Sequence, residues 1–96
     1  MKEEIQQSIE RLQLMLQEHR DRLAPFEKLH QDMKALFAST MMQMGPRQRA
    51  ERQFAIKEAE KAITQTKTQM VQIEELIERN KAILEEYERM HDGHST

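Results

Sequence analysis

The fold is decided at residues 36–56, which read LFASTMMQMGPRQRAERQFAI. Its Gly45-Pro46 pair interrupts an otherwise helix-forming sequence. Glycine can adopt the left-handed conformation that often ends a helix, and proline suits the first turn of a new helix, where its missing N–H is not needed. We therefore predict a chain reversal at about residues 43–46.

Apolar residues recur at alternate steps of four and three on both sides of this turn. In the first arm, these seam positions are Ile5, Ile9, Leu12, Leu16, His19, Leu23, Phe26, His30, Met33, Phe37, Thr40 and Met44. In the second arm, they are Ile56, Ala59, Ile63, Thr66, Met70, Ile73, Ile77, Asn80, Leu84, Tyr87 and His91. Nine of the first twelve and eight of the following eleven are apolar. This spacing predicts an all-α protein, a long antiparallel helical hairpin of the coiled-coil type.

The pattern predicts one helical-hairpin domain over residues 1–96. Its expected parts are a helix at about 2–42, a turn at about 43–46, a helix at about 46–91 and a polar tail at 92–96. Pro25 lies inside the first arm, where proline removes a backbone hydrogen bond. Because the apolar pattern crosses Pro25 without losing phase, we favour a kinked continuous helix there over the alternative, a corner between two helices.

Eight further apolar residues each lie one position before a seam residue, and we call them the third stripe. This third stripe consists of Met15, Leu29, Leu36, Ala55, Ala62, Leu76, Ile83 and Met90. A two-stranded coil has no use for it, so we predict that the hairpin dimerises into a four-helix bundle. Leu29, Leu36, Leu76 and Ile83 are the expected contacts in that dimer, and the polar seam residue Asn80 is interpreted as a determinant of register or partner choice.

Composition excludes several kinds of protein. Cysteine is absent, which rules out disulfides and thiolate sites, and no apolar run approaches the roughly 18 residues of a membrane span. The net charge is only −2, but residues 43–61 carry net +2 and residues 69–92 carry net −4. We find no catalytic motif, so we predict a non-enzymatic, cytoplasmic protein with no cofactor and no membrane association.

Histidines provide the few candidate chemical groups. His19 and His30 occupy seam positions, where charging a buried imidazole at about pH 6 would loosen the packing. The sequence also contains two Glu-x-x-His motifs, Glu27 with His30 and Glu88 with His91, which resemble half-sites of helical di-metal centres. A metal-binding bundle, with such a site or with a methionine-rich copper site, is therefore one alternative function.

The predicted turn combines methionines, a phenylalanine and arginines. Flexible methionines make adaptable binding surfaces, so we predict that this tip contacts another protein. Its expected contact residues are Met41, Met42, Met44, Arg47, Arg49, Arg52 and Phe54. The arginines also leave open a nucleic-acid-associated regulator, although a single turn of arginines balanced by Glu51 is a small basic patch.

The Met44-Gly45-Pro46 turn and the two long arms are similar in plan to the small secreted helical hairpins named for a Trp-x-Gly turn. This chain has no tryptophan and has Met44-Gly45-Pro46 at its turn. Its plan also resembles the small coiled-coil chaperones of bacterial secretion and flagellar systems. The function predicted from the residues is protein–protein interaction, as an adaptor, export chaperone or regulator, with a homodimer as its own form.

Overall fold

A computed structural model describes residues 1–94, with side chains described as far as His91. Helix α1 spans Lys2–Thr40, a short 3-10 helix spans Met41–Gln43, and helix α2 spans Pro46–His94. Residues 1–94 contain no strand. The predicted all-α helical hairpin is therefore confirmed.

The structure ends α1 at Thr40, whereas the sequence suggested about residue 42. The hydroxyls of Ser39 and Thr40 both donate hydrogen bonds to the carbonyl of Leu36, at 2.9 and 2.7 Å. Such bonds compete with the helical backbone for its acceptors and often accompany a helix end or bend. The backbone then tightens into the 3-10 helix before the chain reverses.

The second helix extends to His94, three residues beyond the expected end at 91. Most of the expected polar tail is thus helical, and residues 95 and 96 lie outside the described part of the chain. Glycine in a helix costs only about 1 kcal/mol relative to alanine, so Gly93 alone does not have to end α2.

The turn does not use a left-handed glycine, contrary to the expectation for Gly45. No described residue has a positive φ. The carbonyl of Gly45 instead accepts the N–H of Arg49 at 3.0 Å, which makes Gly45 the N-terminal cap position of α2. A residue before proline favours extended backbone, and this is also the conformation typical of an N-cap.

Helix α1 runs through Pro25 without a break. The ring of Pro25 is exposed. Because Pro25 is exposed, the backbone hydrogen bond that it removes does not leave a buried carbonyl without a partner. The alternative of a corner at this residue is therefore ruled out, and the degree of kinking stays a prediction.

The chain divides into two compact units. The end unit comprises Met1–His19 and Gln69–Thr96, and the tip unit comprises Arg20–Thr68. Within the end unit, the most buried side chains form one cluster, to which both helices contribute: Ile9, Leu16, Ile73 and Ile77, with Ile5, Leu12, Met70 and Leu84 packed against it. All eight are seam positions, as predicted from the heptad spacing.

The seam positions as a set are the covered face of the two helices. Of the 23 positions, 21 are buried or half-buried. The exceptions are Phe26, which is 55% exposed, and His91. His91 lies near the end of α2, where few neighbours remain to cover it.

Candidate protein-interaction surface

The third stripe is exposed along both helices. All eight of its residues are exposed, and Leu29, Leu36, Ile83 and Met90 each keep 54–60% of their surface. These side chains stand beside the seam and are not covered by it. A row of large apolar side chains in water usually marks an interaction surface, because single scattered apolar residues are normal but contiguous ones are not.

The methionines at the tip divide into two roles. Met42 is 84% exposed, whereas Met41 and Met44 are half-buried and contribute to the packing of the turn. Phe54, on the first turns of α2, is 66% exposed. Met42 and Phe54 are therefore the two large apolar side chains at the tip that are available to a partner.

A shallow groove of about 250 Å³ lies in the tip unit between the two helices. Met33, Leu36, Phe37, Met44 and Ile56 form its apolar wall. Its polar lining comes from Thr40, Gln48 and Arg52. A site of this size and composition is suited to one apolar side chain of a partner with a negatively charged group beside it.

The three arginines of the tip have different surroundings. Arg49 is half-buried, and its Nε donates to the carbonyl of Met44 at 3.0 Å, so this side chain braces the turn. Arg47 is 95% exposed and lies 3.4 Å from the Glu51 carboxylate. Arg52 has no ion pair or hydrogen bond among the described side chains. Arg52 is therefore the arginine best placed to meet an anionic partner.

The two seam histidines have different hydrogen-bond partners. The Nδ1 atom of His19 lies 2.7 Å from the carbonyl of Met15 in the same helix, so Nδ1 carries the proton and donates it. The Nε2 atom of His30 lies 3.1 Å from the Glu60 carboxylate of the facing helix. The side chain of His30 is 14% exposed, so the histidine side of this contact is largely removed from solvent.

The predicted metal motifs are engaged in other contacts. Glu27 pairs with Lys67 at 3.3 Å, and Glu88 pairs with Lys2 at 3.3 Å. The ring of His91 stacks against Tyr87, with centroids 4.0 Å apart. Among the side chains of residues 1–91, no group of three or more His, Asp or Glu is arranged to hold a metal ion.

Asn80 satisfies its amide within its own helix. Its Nδ2 donates to the carbonyl of Leu76 at 2.9 Å, and the side chain is half-buried. A polar seam residue bonded in this way does not require a polar partner across the seam. Sequence spacing alone could not reveal this, because it locates Asn80 on the seam but does not fix its rotamer.

Three contacts of the site were not anticipated: Arg49 to Met44, His30 to Glu60, and Glu27 to Lys67. The last two join residues 30 and 40 positions apart, so they depend on the register of the hairpin. These two contacts could have been predicted only by matching opposite charges between the two antiparallel arms at each possible register.

Neither helix, over the described residues, contains a stretch that is long and apolar enough to cross a lipid bilayer. Comparison with protein-family models, with curated proteins and with solved structures finds no match to this chain.

Proposed function

We propose that this protein is a non-enzymatic protein–protein interaction module, an adaptor, export chaperone or regulator. It acts through the third stripe and through the tip formed by Met42, Phe54 and Arg52. The observation that carries the proposal is the exposure of the third stripe in both units. A cytoplasmic location belongs to the proposal and agrees with the absence of cysteine.

The exposed area of the chain is large enough to support the proposal of a binding partner. The accessible surface is 7753 Å² for a mass of 11.5 kDa. A compact monomer of that mass is expected to expose about 5,800 Å². The excess of about 1,900 Å² is more than the roughly 800 Å² that each partner contributes to a standard protein interface.

A second copy of the chain is the partner we propose for the third stripe. Two hairpins that pair through this stripe form a four-helix bundle, and a two-fold axis lets the same surface serve both copies. Such a dimer leaves the 3-10 helix and the start of α2 accessible. Met42, Phe54 and Arg52 then remain available to another protein, whereas the groove is covered on the side formed by Leu36.

Sedimentation equilibrium tests self-association. Leu36→Gln combined with Ile83→Gln should raise the dimer dissociation constant by at least about tenfold, since both side chains would be buried between copies. Leu14→Gln combined with Val71→Gln is the matched control, because these side chains are 62% and 52% exposed but lie off the stripe. A stable monomer at every concentration, or equal effects of both variants, would refute the proposed interface.

A pull-down from the native host tests the tip. Met42→Ser combined with Phe54→Ser should abolish capture of a specific protein, whereas Leu14→Ser should leave capture unchanged. Neither tip side chain belongs to the buried cluster of the end unit, so circular dichroism should show unchanged helix content. Capture that survives the tip substitutions would remove the tip from the proposal.

Two further measurements separate the alternative functions. Stoichiometric iron, manganese or copper in protein purified without a histidine tag would favour the metal-binding bundle. Binding of DNA or RNA that weakens as salt rises would favour the nucleic-acid-associated regulator. The proposed module predicts neither result.

A further inference from the structure

A second groove lies on the tip unit, on the side of the hairpin away from the third stripe. We call it the lysine groove. Its volume is about 310 Å³, and both helices line it, with Lys34, Phe37, Gln53, Ile56, Lys57 and Glu60. Ala55 of the third stripe and Lys57 are two residues apart, so their side chains leave α2 about 200° apart. Pairing of two copies through the third stripe would therefore leave the lysine groove open.

The two lysines of this groove carry charges that the chain does not neutralise. Among the side chains of residues 1–91, neither Lys34 nor Lys57 has an ion pair. The acid in the lining is Glu60, whose carboxylate lies 3.1 Å from Nε2 of His30. The lining thus has a net charge of +1, with one unpaired lysine on each helix.

The neighbouring charges on this side of the tip unit are already paired. A shallow depression adjoins the groove at Lys57 and adds Lys61, which lies 3.3 Å from the Glu58 carboxylate. Farther from the turn, Lys67 pairs with Glu27 at 3.3 Å. The unpaired positive charge of this side is therefore concentrated at the lysine groove.

The floor of the lysine groove is apolar. Phe37 and Ile56 are half-buried seam residues, one from each helix. Phe54, which is 66% exposed, lies three residues before Lys57 and so on the same side of α2. The groove is therefore continuous with an apolar side chain of the proposed contact surface at the tip.

We propose that the lysine groove binds an acidic, amphipathic segment of the partner protein. An apolar side chain of that segment packs on Phe37 and Ile56, and carboxylates beside it pair with the two lysines. This inference rests on the proposed function and adds the chemistry of the partner. Opposite charges favour such an interface and select against basic partners.

A nucleic-acid strand is the other anionic occupant to consider. Its phosphates are regularly spaced along the strand, so a strand that follows the two lysines would bring phosphates close to the Glu60 carboxylate in the same lining. A peptide can place a neutral residue at that point. The apolar floor also has no partner in a phosphate backbone, so the composition of the groove favours the peptide.

A titration followed by nuclear magnetic resonance tests the groove, because this method also detects weak binding. The probe is a helical peptide with leucines along one face and glutamates on both sides of that face. The control peptide has lysine in place of each glutamate, and a single-stranded DNA oligonucleotide is the third ligand. We expect the glutamate peptide to shift the amide signals of Lys34, Phe37 and Lys57, and the lysine peptide to leave them unchanged. No shift with the glutamate peptide, or equal shifts with both peptides, would overturn the proposal. Larger shifts with the oligonucleotide would overturn it in favour of nucleic acid.

Charge variants test the two lysines. Lys34→Glu and Lys57→Glu should each weaken binding of the glutamate peptide at least about threefold at about 0.05 M salt. Lys28→Glu is the matched control, because Lys28 is an exposed lysine of the same unit outside the groove, and it should leave binding unchanged. Equal weakening by all three variants would show that only the overall charge matters and would overturn the proposal.

The pull-down from the native host separates this inference from the proposed function. Loss of the captured protein with Lys57→Glu, and its retention with Lys28→Glu, is the expected result. A protein that is lost with the Met42→Ser and Phe54→Ser variant but retained with Lys57→Glu would overturn the lysine groove and leave the interaction module intact. Failure of the wild type to capture any specific protein would instead contradict the proposed function.

Discussion

Replacing Gly45 by aspartate should stabilise the protein, although the residue lies in the turn. The backbone there needs no positive φ, and a Cβ atom added at this position meets nothing within 4 Å. Gly45 caps α2, whose first turn begins with Pro46 and contains no acidic residue. An aspartate would supply both the cap oxygen and a negative charge at the positive end of the helix dipole.

The gain follows from three contributions. Reduced freedom of the unfolded chain contributes about 0.4–1 kcal/mol. A carboxylate beside the helix N-terminus contributes about 0.3–1 kcal/mol, and the cap hydrogen bond adds a few tenths more than glycine provides. We therefore expect Gly45→Asp to raise the free energy of unfolding by about 1–2 kcal/mol, with a rise in Tm of about 4–8 °C per kcal/mol.

Urea unfolding followed by circular dichroism measures this gain, at one fixed protein concentration because self-association would alter apparent stability. Gly45→Ala is the matched control, since it shares the loss of unfolded-state freedom but has neither cap oxygen nor charge. The aspartate variant should exceed it by about 0.5–2 kcal/mol, and part of the difference should disappear in high salt. A loss of about 1 kcal/mol or more in Gly45→Asp would contradict the turn geometry, and equal stability of both variants would show that Gly45 is not the cap.

Three other substitutions test the seam and α1. Ile73→Ala should lower the free energy of unfolding by about 2–4 kcal/mol, because this side chain is only 6% exposed within the main buried cluster. A loss below about 1 kcal/mol in urea unfolding would contradict the role of this cluster as the core. Pro25→Ala should raise the helix content, and should raise the free energy of unfolding by up to about 3 kcal/mol, because the helix is continuous through an exposed proline. Destabilisation in thermal unfolding would show that the neighbouring structure depends on a kink there. His30→Ala should lower the free energy of unfolding by about 1 kcal/mol, because it removes the 3.1 Å contact between Nε2 of His30 and the Glu60 carboxylate. An unchanged urea midpoint would show that this contact does not stabilise the fold.

Much of the fold was predictable because heptad spacing reports burial directly. A residue on the seam faces the other helix whatever its rotamer, so 21 of the 23 expected positions are covered. The position of the turn was predictable, because Gly45-Pro46 is the one place where glycine and proline together interrupt the helix-forming sequence. Its conformation was not, because glycine before proline suits an extended N-cap as well as a left-handed helix end.

The candidate surface was predictable only in part. The third stripe depends on spacing and was foreseen as a set. The separate roles of Arg49 and Arg52 depend on which guanidinium can reach the carbonyl of Met44, and this is set by the turn geometry. Likewise, nothing in the local sequence of His30 shows that Glu60 faces it from the other helix.

The short connection between the helices also bears on how the chain could exchange its arms. Since no residue of the turn requires a positive φ, only a few backbone angles near Met44 and Gly45 separate the reversed chain from a nearly continuous helix. Two chains opened in this way could each use the arm of the other to fill the same seam. The choice between a closed hairpin and an arm-exchanged dimer therefore depends on the few residues of the connection, and not on the seam itself.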